Sequence, residues 1–468
     1  MKVNRVEKHM INKNHLMYNM CDELCFKSKN MYNYANYIIR QIFITTSNLK
    51  NDKEVTNEQL EYLRNINLKV DEFNQKKQEN LLKKQNNPKT KDKYKDKKFK
   101  PISYFDKDNR YSNYDFMDFV TKQSDPFKDL GSNSAQHTLK ILDKAWKSFF
   151  VSIKDWSKHK EKYLGRPKLP KYKKKDGKHI CVLTNMQTHI VDGYLYFAYT
   201  PLKPYNNLFK THITDKLLQT RIIPQGSCYV LEIVYEKEIN DVSSDFQSKR
   251  IFSIDIGVNN FATITNNIGT KPIIINGKCI KSYNQYWNKQ ISKYRSIAKK
   301  TNKLDWTNRL QKLTNKRYNK INYFLHNASA MIIKLCKIYN IDTIVIGYNK
   351  TWKQESKLHV KVNQTFVQIP FEIFIKQLDY KCVGNSIDFI KTNESYTSGT
   401  SFIDNESPIK ENYDKSRRVF RGLFKSNTNK LINSDVNGSL QIMKKVFSNI
   451  FNDYEIEGLD LTPSILNI

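Results

Sequence analysis

Near the N-terminus Leu24, Met31, Tyr34, Ile38 and Ile42 fall close to helical spacing, which predicts a helix from about Asp22. A polar stretch follows over residues 46–115, and nine of the eighteen residues 83–100 are Lys. That pattern predicts a flexible, solvated basic insertion, compatible with a phosphate-tracking arm or a nuclear-import signal. Residues 134–156 repeat Leu139, Leu142, Trp146, Phe149 and Ile153 every three to four positions, an amphipathic helix that Ser132 or Asn133 can cap. In LGRPKLPKYKKK (164–175) two prolines hold the backbone extended. Arg166, Lys168, Lys171, Tyr172 and Lys173 then suit contact with a nucleic-acid backbone, and a plain linker is the other reading. Residues 178–238 turn to β-branched and aromatic runs between turns, predicting a small β-barrel-like domain or a simple scaffold.

The C-terminal half has a different texture. RIFSIDIGV (250–258) reads as a buried strand, FATITNN and KPIIING as two more, and residues 283–339 as a long helical tract. DTIVIG (342–347) is a strand, 364–380 a helix and SIDFIKT (386–392) a strand. Three strands, helices, strand, helix, strand is the order of an RNase H-like α/β sheet.

Charge sharpens the picture. Lys and Arg number 79 against 46 Asp and Glu, a net +33 over 468 residues, which attracts polyanions and makes nucleic acid the leading partner. Aromatics at 12% exclude wholesale disorder. Fourteen glycines argue against Gly-rich phosphate-loop chemistry. No apolar run is long enough to span a membrane, and the start shows no signal-peptide core. Seven scattered cysteines fit a reducing, intracellular setting. Cys21 and Cys25 are expected to be helix core residues.

Two acids stand out. Asp255 sits inside an apolar strand, where it needs a partner or a metal to offset its desolvation. Actin-like ATPases share such a strand, but their Gly-rich phosphate motifs are missing here. Asp435, in NSDVNGSLQIMKK, opens a helix and is either its cap or a second ligand beside Asp255.

The motifs IDIGVNNFATIT, GYNKTWKQ, NQTFVQIPF, ESYTSGTSF, RRVFRGLF and NSDVNGSL, with the N-terminal HMINKNH, LDKAWKSFF and GRPKLPKYK, resemble the TnpB family of transposon-associated RNA-guided nucleases. They are most similar to its Fanzor-containing branch. The resemblance implies an α+β multidomain chain with an RNase H-like (RuvC) α/β nuclease domain, an N-terminal helical recognition domain and a small β-barrel wedge-like domain. The implied layout is 1–20 for the start of the wedge and 21–160 for the helical domain, with 46–115 as its flexible basic insertion. The linker and the rest of the wedge take 161–248, and the nuclease domain takes 249–468 with a nucleic-acid-binding insert at about 395–432. It implies cleavage of target DNA by two Mg²⁺ ions on Asp255, Glu394 and Asp435. The implied partners are a guide (omega) RNA and double-stranded DNA with a short adjacent motif. The protein is expected to be a monomer, away from membranes, in a nucleus or a bacterial nucleoid according to host. Lys353, Arg417, Arg418 and Arg421 join the expected nucleic-acid contacts. A nuclease-dead RNA-guided repressor and an RNase H-fold transposase are the competing functions.

Two departures from the family pattern matter. The usual catalytic Glu at the end of the fourth strand is Gly347 here, and Glu394 ends the neighbouring strand, about 4.8 Å away across a parallel pair. A structural role for Glu394 is the alternative, and Glu355 and Glu406 are the nearest competing acids. Paired Cys motifs are also missing: no Cys lies beyond Cys382, and His359 does not replace them, so no structural zinc is expected. Elemental analysis of the purified protein is predicted to find no stoichiometric zinc. One tightly bound zinc per chain would show the 395–432 segment to be misread.

Overall fold

The computed structural model describes residues 2–238, 250–349, 364, 366–420, 422–451 and 459–468. The chain divides into two compact units, one of Asn4–Lys237 and one of Met1–Val3 with Glu238–Ile468.

In the first unit, β1 (Lys2–Ile11) leads into α1 (Tyr18–Lys50). This helix starts earlier than its most regular stripe suggests, because Met17 and Cys21 extend the buried face upstream. Cys21 and Cys25 are buried core residues, as expected, and burial pushes the Cys21 thiol up to about 12. The expected flexible insertion at 46–115 needs correction. Residues Asn57–Asn86 form a 30-residue helix, α2, opened by a capping box between Thr56 and Gln59. Its apolar stripe is thin: Leu63, Ile66, Val70 and Phe73 are the buried residues. Asparagines complete the docking. Asn67 exchanges hydrogen bonds with the Phe105 backbone (3.1 and 2.8 Å), and Asn74 does the same with Ile102 (both 2.9 Å). The hydrophobic period is therefore short, confined to residues 63–73 of a 30-residue helix, and the rest of the docking is polar. The short helices α3 (Lys91–Tyr94), α4 (Tyr114–Thr121) and α5 (Asp125–Leu130) follow.

Helix α6 (Ser132–Lys158) packs on α1 through Trp146, whose indole donates to Asn36 Oδ1 at 3.0 Å. The residue before the helix is Gly131, at φ +81°, and no side chain caps the start, so neither Ser132 nor Asn133 serves as the cap. Beyond α6 the segment 164–175 is extended, as its prolines require, and is strapped along α1. Asn33 donates to the Lys173 carbonyl and accepts from its N–H, while Asn36 and Arg40 both donate to the Pro170 carbonyl. Arg40 lies 4.9 Å from the Tyr172 ring centre. Arg166, Lys168, Lys171 and Lys173 remain exposed.

Strands β2 (Cys181–Thr184), β3 (Thr188–Val191), β4 (Tyr194–Phe197), β5 (Lys216–Gln225) and β6 (Cys228–Glu238) complete the unit. Four form one sheet in the order β1-β6-β5-β2, and β3 and β4 form a separate hairpin.

The second unit is built on a six-stranded sheet. Its strands are β7 (Ile251–Ile256), β8 (Asn260–Asn266), β9 (Ile273–Asn276), β10 (Thr343–Gly347), β11 (Asp388–Thr392) and, past a two-stranded ribbon of β12 (Leu423–Lys425) and β13 (Leu431–Asn433), β14 (Ser464–Leu466). The order is β11-β10-β7-β8-β9-β14. β7, β8 and β9 are antiparallel neighbours, while β10 and β11 run parallel to β7. Parallel pairing needs crossover helices. The long helical tract is two helices, α7 (Lys278–Asn302) and α8 (Asn308–Ile338), broken at Lys303 in the left-handed region (φ +52°). α9 (Phe371–Val383) joins β10 to β11, and α10 (Ser434–Val446) lies on β7 and β8. Phe261 anchors the core, with Phe374 4.7 Å and Phe324 5.1 Å from its ring centre. Among the described residues, no helix is long and apolar enough to cross a membrane.

The corrected α2 gives a test. Phe73 packs edge-on against Phe116 at 5.6 Å. Phe73→Ala is predicted to cost about 3 kcal/mol, the scale for emptying a buried Phe site. Limited proteolysis should then cut at Lys69–Lys84 in the variant well before the parent. Equal cleavage in both would mean that the segment is unpacked.

Candidate functional site

The site grows from the contact of α10 with the sheet. Ser439 donates to the Ser253 carbonyl at 2.9 Å, Ser253 donates to the Ser439 carbonyl at 2.6 Å, and the Ser439 and Thr265 hydroxyls lie 2.9 Å apart. Three small hydroxyl residues thus let the helix backbone approach β7 and β8 closely. Gly438 completes this approach: a Cβ there would come within 3.1 Å of Asp255 Oδ2.

Asp255 keeps a little exposed surface but lies deep in the packed end of β7. Burial raises its pKa well above the usual carboxylate value, and the negative charges of Glu394 and Asp435 add to the rise. Arg418 pulls the other way. The structure therefore gathers all three sequence-predicted acids into one electrostatic neighbourhood. Among the described residues, no three His, Cys, Asp or Glu side chains converge tightly enough to form a ready metal-ligand set.

Asp435 is not the helix cap. Asn433 takes that role, its side-chain oxygen accepting from the N–H groups of Asp435 (2.9 Å) and Val436 (3.2 Å). Freed from capping, the Asp435 carboxylate accepts from Asn260 Nδ2 at 2.7 Å and lies 3.9 Å from the Arg418 guanidinium. Asn437, two positions on, donates to the Thr400 carbonyl (2.8 Å) and accepts from Phe402 N–H (2.9 Å), which ties the segment after Glu394 to α10.

Glu394 lies two residues past β11, whose Thr392 pairs with Gly347 at the end of β10. A Cβ on Gly347 would sit 2.6 Å from Ile442 Cδ1 and 3.4 Å from Glu394 Cβ. The glycine thus makes room for Ile442 of α10, while the base of the Glu394 side chain lies at ordinary contact distance. Lys445 braces the same turn, donating to the Ser395 carbonyl at 2.8 Å, and Glu394 is among the charges it feels.

Arg417, expected at a nucleic-acid surface, is committed elsewhere. It donates to both Glu406 oxygens (2.9 and 2.7 Å), and Glu406 also accepts from Ser401 N–H and Asn427. That network holds the 395–432 segment together and removes Glu406 as a competing acid. Lys353, Glu355, His359 and Arg421 lie outside the described residues. Asn260, Asn433, Asn437, Gly438 and Lys445 were not singled out from the sequence. The density of small and amide residues in NSDVNGSL is the signal that points to Asn433, Asn437 and Gly438; Asn260 and Lys445 lie outside that motif.

Carboxylate oxygen is the donor type that a hard divalent cation takes, but here Asp255, Glu394 and Asp435 act on one another only through their charges, with Arg418 opposing, and do not converge as ligands. Residues 232–353 match the OrfB_IS605 family model, described as a probable transposase, and residues 371–442 match the Cas12f1-like TNB domain. Among solved structures, the chain is similar to a Cas12f1–sgRNA–target DNA complex (13% identity, TM-score 0.32, 94% of this chain and 98% of that one). It is similar over the same shares to a CRISPR-Cas12f ternary complex (9%, TM-score 0.34). Similarity to a Cas12i–crRNA–dsDNA complex covers 56% and 43% (9%, TM-score 0.27). None of the curated proteins matches.

The raised pKa of Asp255 has a signed consequence. The folded state holds its proton to higher pH than the unfolded state, so this group costs stability as pH rises above about 4. Asp255→Asn is therefore predicted to raise the melting midpoint in EDTA at pH 7 by about 2–6 °C. The gain should vanish in acid, below the unfolded carboxyl pKa. A variant no more stable than the parent at pH 7 would contradict it.

Proposed function

We propose that this chain, which belongs with the TnpB-like RNA-guided nucleases by its two family matches, is an RNA-guided DNA endonuclease with a single RuvC-like site. The observation that carries the reading is the buried Asp255, its charge opposed by Glu394 and Asp435 from two other elements. The strand order β9-β8-β7-β10-β11 supports an RNase H-like sheet, and the antiparallel strands of the first unit supply the wedge-like domain. Asp255, Glu394 and Asp435 would hold two Mg²⁺ ions. When bound, such ions supply charge stabilisation to the attacking and leaving oxygens of a phosphodiester.

The chain's own residues do the rest. Asn260 fixes the Asp435 carboxylate, and Asn433 frees it from capping. The Lys445 brace on Ser395 sets the turn that carries Glu394. Arg418, beside Asp435 and partly exposed, meets a phosphate of the DNA strand. The lysines of 164–175, held outward along α1, track the backbone of the guide RNA or its duplex with target DNA, read by shape and not by sequence. The +33 charge neutralises these polyanions. The chain acts as a monomer in a ribonucleoprotein of the Fanzor-containing branch. A nuclease-dead repressor is the second reading, motivated by Gly347 and by side chains that do not yet converge.

Glu394→Gln is predicted to lower single-turnover cleavage in Mg²⁺ by at least about 10²-fold, the scale for removing one charge-stabilising group. Guide and target binding should remain close to the parent's. Asp255→Asn and Asp435→Asn should lose as much, and the losses should not add, because the three act as one unit. Glu355→Gln and Glu406→Gln should keep cutting, provided Glu406→Gln folds. Normal cutting by Glu394→Gln would move the carboxylate elsewhere. A parent protein that binds target yet never cuts with any divalent ion would favour the repressor.

A further inference from the structure

Helices α7 and α8 carry a feature that the nuclease reading does not use. Residues 278–320 contain thirteen Lys or Arg and one acid, Asp305. A solvated helix pair ordinarily intersperses Glu and Asp with its lysines, because like charges at i,i+4 destabilise a helix. Here Lys312, Lys316 and Lys320 repeat at that spacing, all exposed and with no acid on either helix to offset them. Asp305, in the link between the helices, faces Arg295 (3.8 Å) and Lys299 (3.3 Å). Among the described residues the hairpin thus holds a large excess of positive charge.

Its position is fixed by the sheet. β9 runs parallel to β7, so α7 leaves from the same sheet end that bears Asp255. Gly277, just before α7, donates to the Asn259 carbonyl at 2.7 Å, in the turn that follows Asp255. The main core takes Ile280 from α7 and begins on α8 at Ile321. Between these points the helices bury little beyond their own seam, where Arg317 donates to Asn284 at 2.7 Å and stacks on Trp287. About 22 residues of α7 beyond the core correspond to an arm roughly 30 Å long at 1.5 Å per residue. Arg317 and Asn288 pin its base to Gln368. A shallow groove of about 660 Å³ runs along α7 between Trp287 and Lys299. Three large rings stand exposed on the arm: Tyr286 at 53%, Trp306 at 46% and Tyr318 at 44%. Exposed rings amid dense positive charge suit unpaired bases on a phosphate backbone, since every base has a face to stack.

We infer that the α7–α8 hairpin is a single-stranded-DNA arm that leads the unpaired substrate strand to the Asp255 end of the sheet. This rests on reading that sheet end as the DNA-cutting site. The choice of DNA over guide RNA follows from the arm's root beside Asp255.

The test uses the ribonucleoprotein as purified, in EDTA so that nothing is cut. The probe is a fluorescein-labelled oligothymidylate of about 20 nucleotides, somewhat longer than a typical single-strand site. The double variant Trp306→Ala/Tyr318→Ala should lose about 10–100-fold in affinity, as expected for stacking partners. Lys312→Gln/Lys316→Gln should reduce the slope of log K against log salt by about 1.4, for two single-strand phosphate contacts. Co-purified RNA and melting midpoint should match the parent's in both, since all four side chains are exposed. Unchanged oligothymidylate affinity in both variants overturns the inference. So does loss of the co-purified RNA, which would assign the arm to the guide. An equal loss by the aromatic variant on a blunt duplex also overturns it. Binding is read without cleavage, so a chain that never cuts would sink the nuclease reading while the arm's binding result still stands.

Discussion

Everything in the second unit that bears on chemistry depends on how closely α10 approaches β7. Ser253 and Ser439 each donate to the other's carbonyl, a contact that only small side chains permit. The helix axis is thereby drawn down onto the strand until Gly438 faces Asp255, where a methyl group would come within 3.1 Å of the carboxylate and press it aside. Two acids far apart in sequence then share one patch of low dielectric. Their mutual repulsion is the thermodynamic cost of that proximity. The motif NSDVNGSL divides its labour accordingly: one residue caps, one carries charge, one ties down a loop, one gives clearance and one locks the helix.

Glu394 depends on a different constraint. Parallel pairing of β10 and β11 brings Gly347 opposite Thr392, so the ends of the two strands are flush. A side chain launched just beyond one strand end reaches the space that a side chain on the other would fill. Gly347 keeps that space open, because any larger residue meets Ile442. Position along the chain and position in the site are thus only loosely coupled, provided the sheet register holds.

Much of this was legible in the sequence. Asp255 announced itself as an acid in an apolar strand, and the strand and helix order of the second unit followed from periodicity. What escaped notice had physical reasons. Helix α2 has a hydrophobic period only over Leu63–Phe73, and Asn67 and Asn74 complete its docking through polar contacts that no apolar pattern signals. The break between α7 and α8 falls at Lys303, a non-glycine residue in the left-handed region, where composition gives no warning. Arg417 looked like a free cation in RRVFRGLF, but Glu406, eleven residues upstream, claims it. Ion pairs are settled by loop geometry, which no local pattern encodes.

The extended segment along α1 carries one more implication. Its backbone is gripped separately from most of its lysines: Asn33, Asn36 and Arg40 bind the main chain at Pro170 and Lys173, and only Leu169, Tyr172 and Lys173 add side-chain packing. Grip and display are therefore assigned to different atoms. The outward lysines are free to drift, to exchange for arginine or to shift along the segment without loosening it. The asparagines beneath them have no such latitude, because an amide that both donates and accepts has few substitutes. Over evolutionary time such a surface can change its charge while its path stays fixed, a rail whose sleepers change less readily than its load.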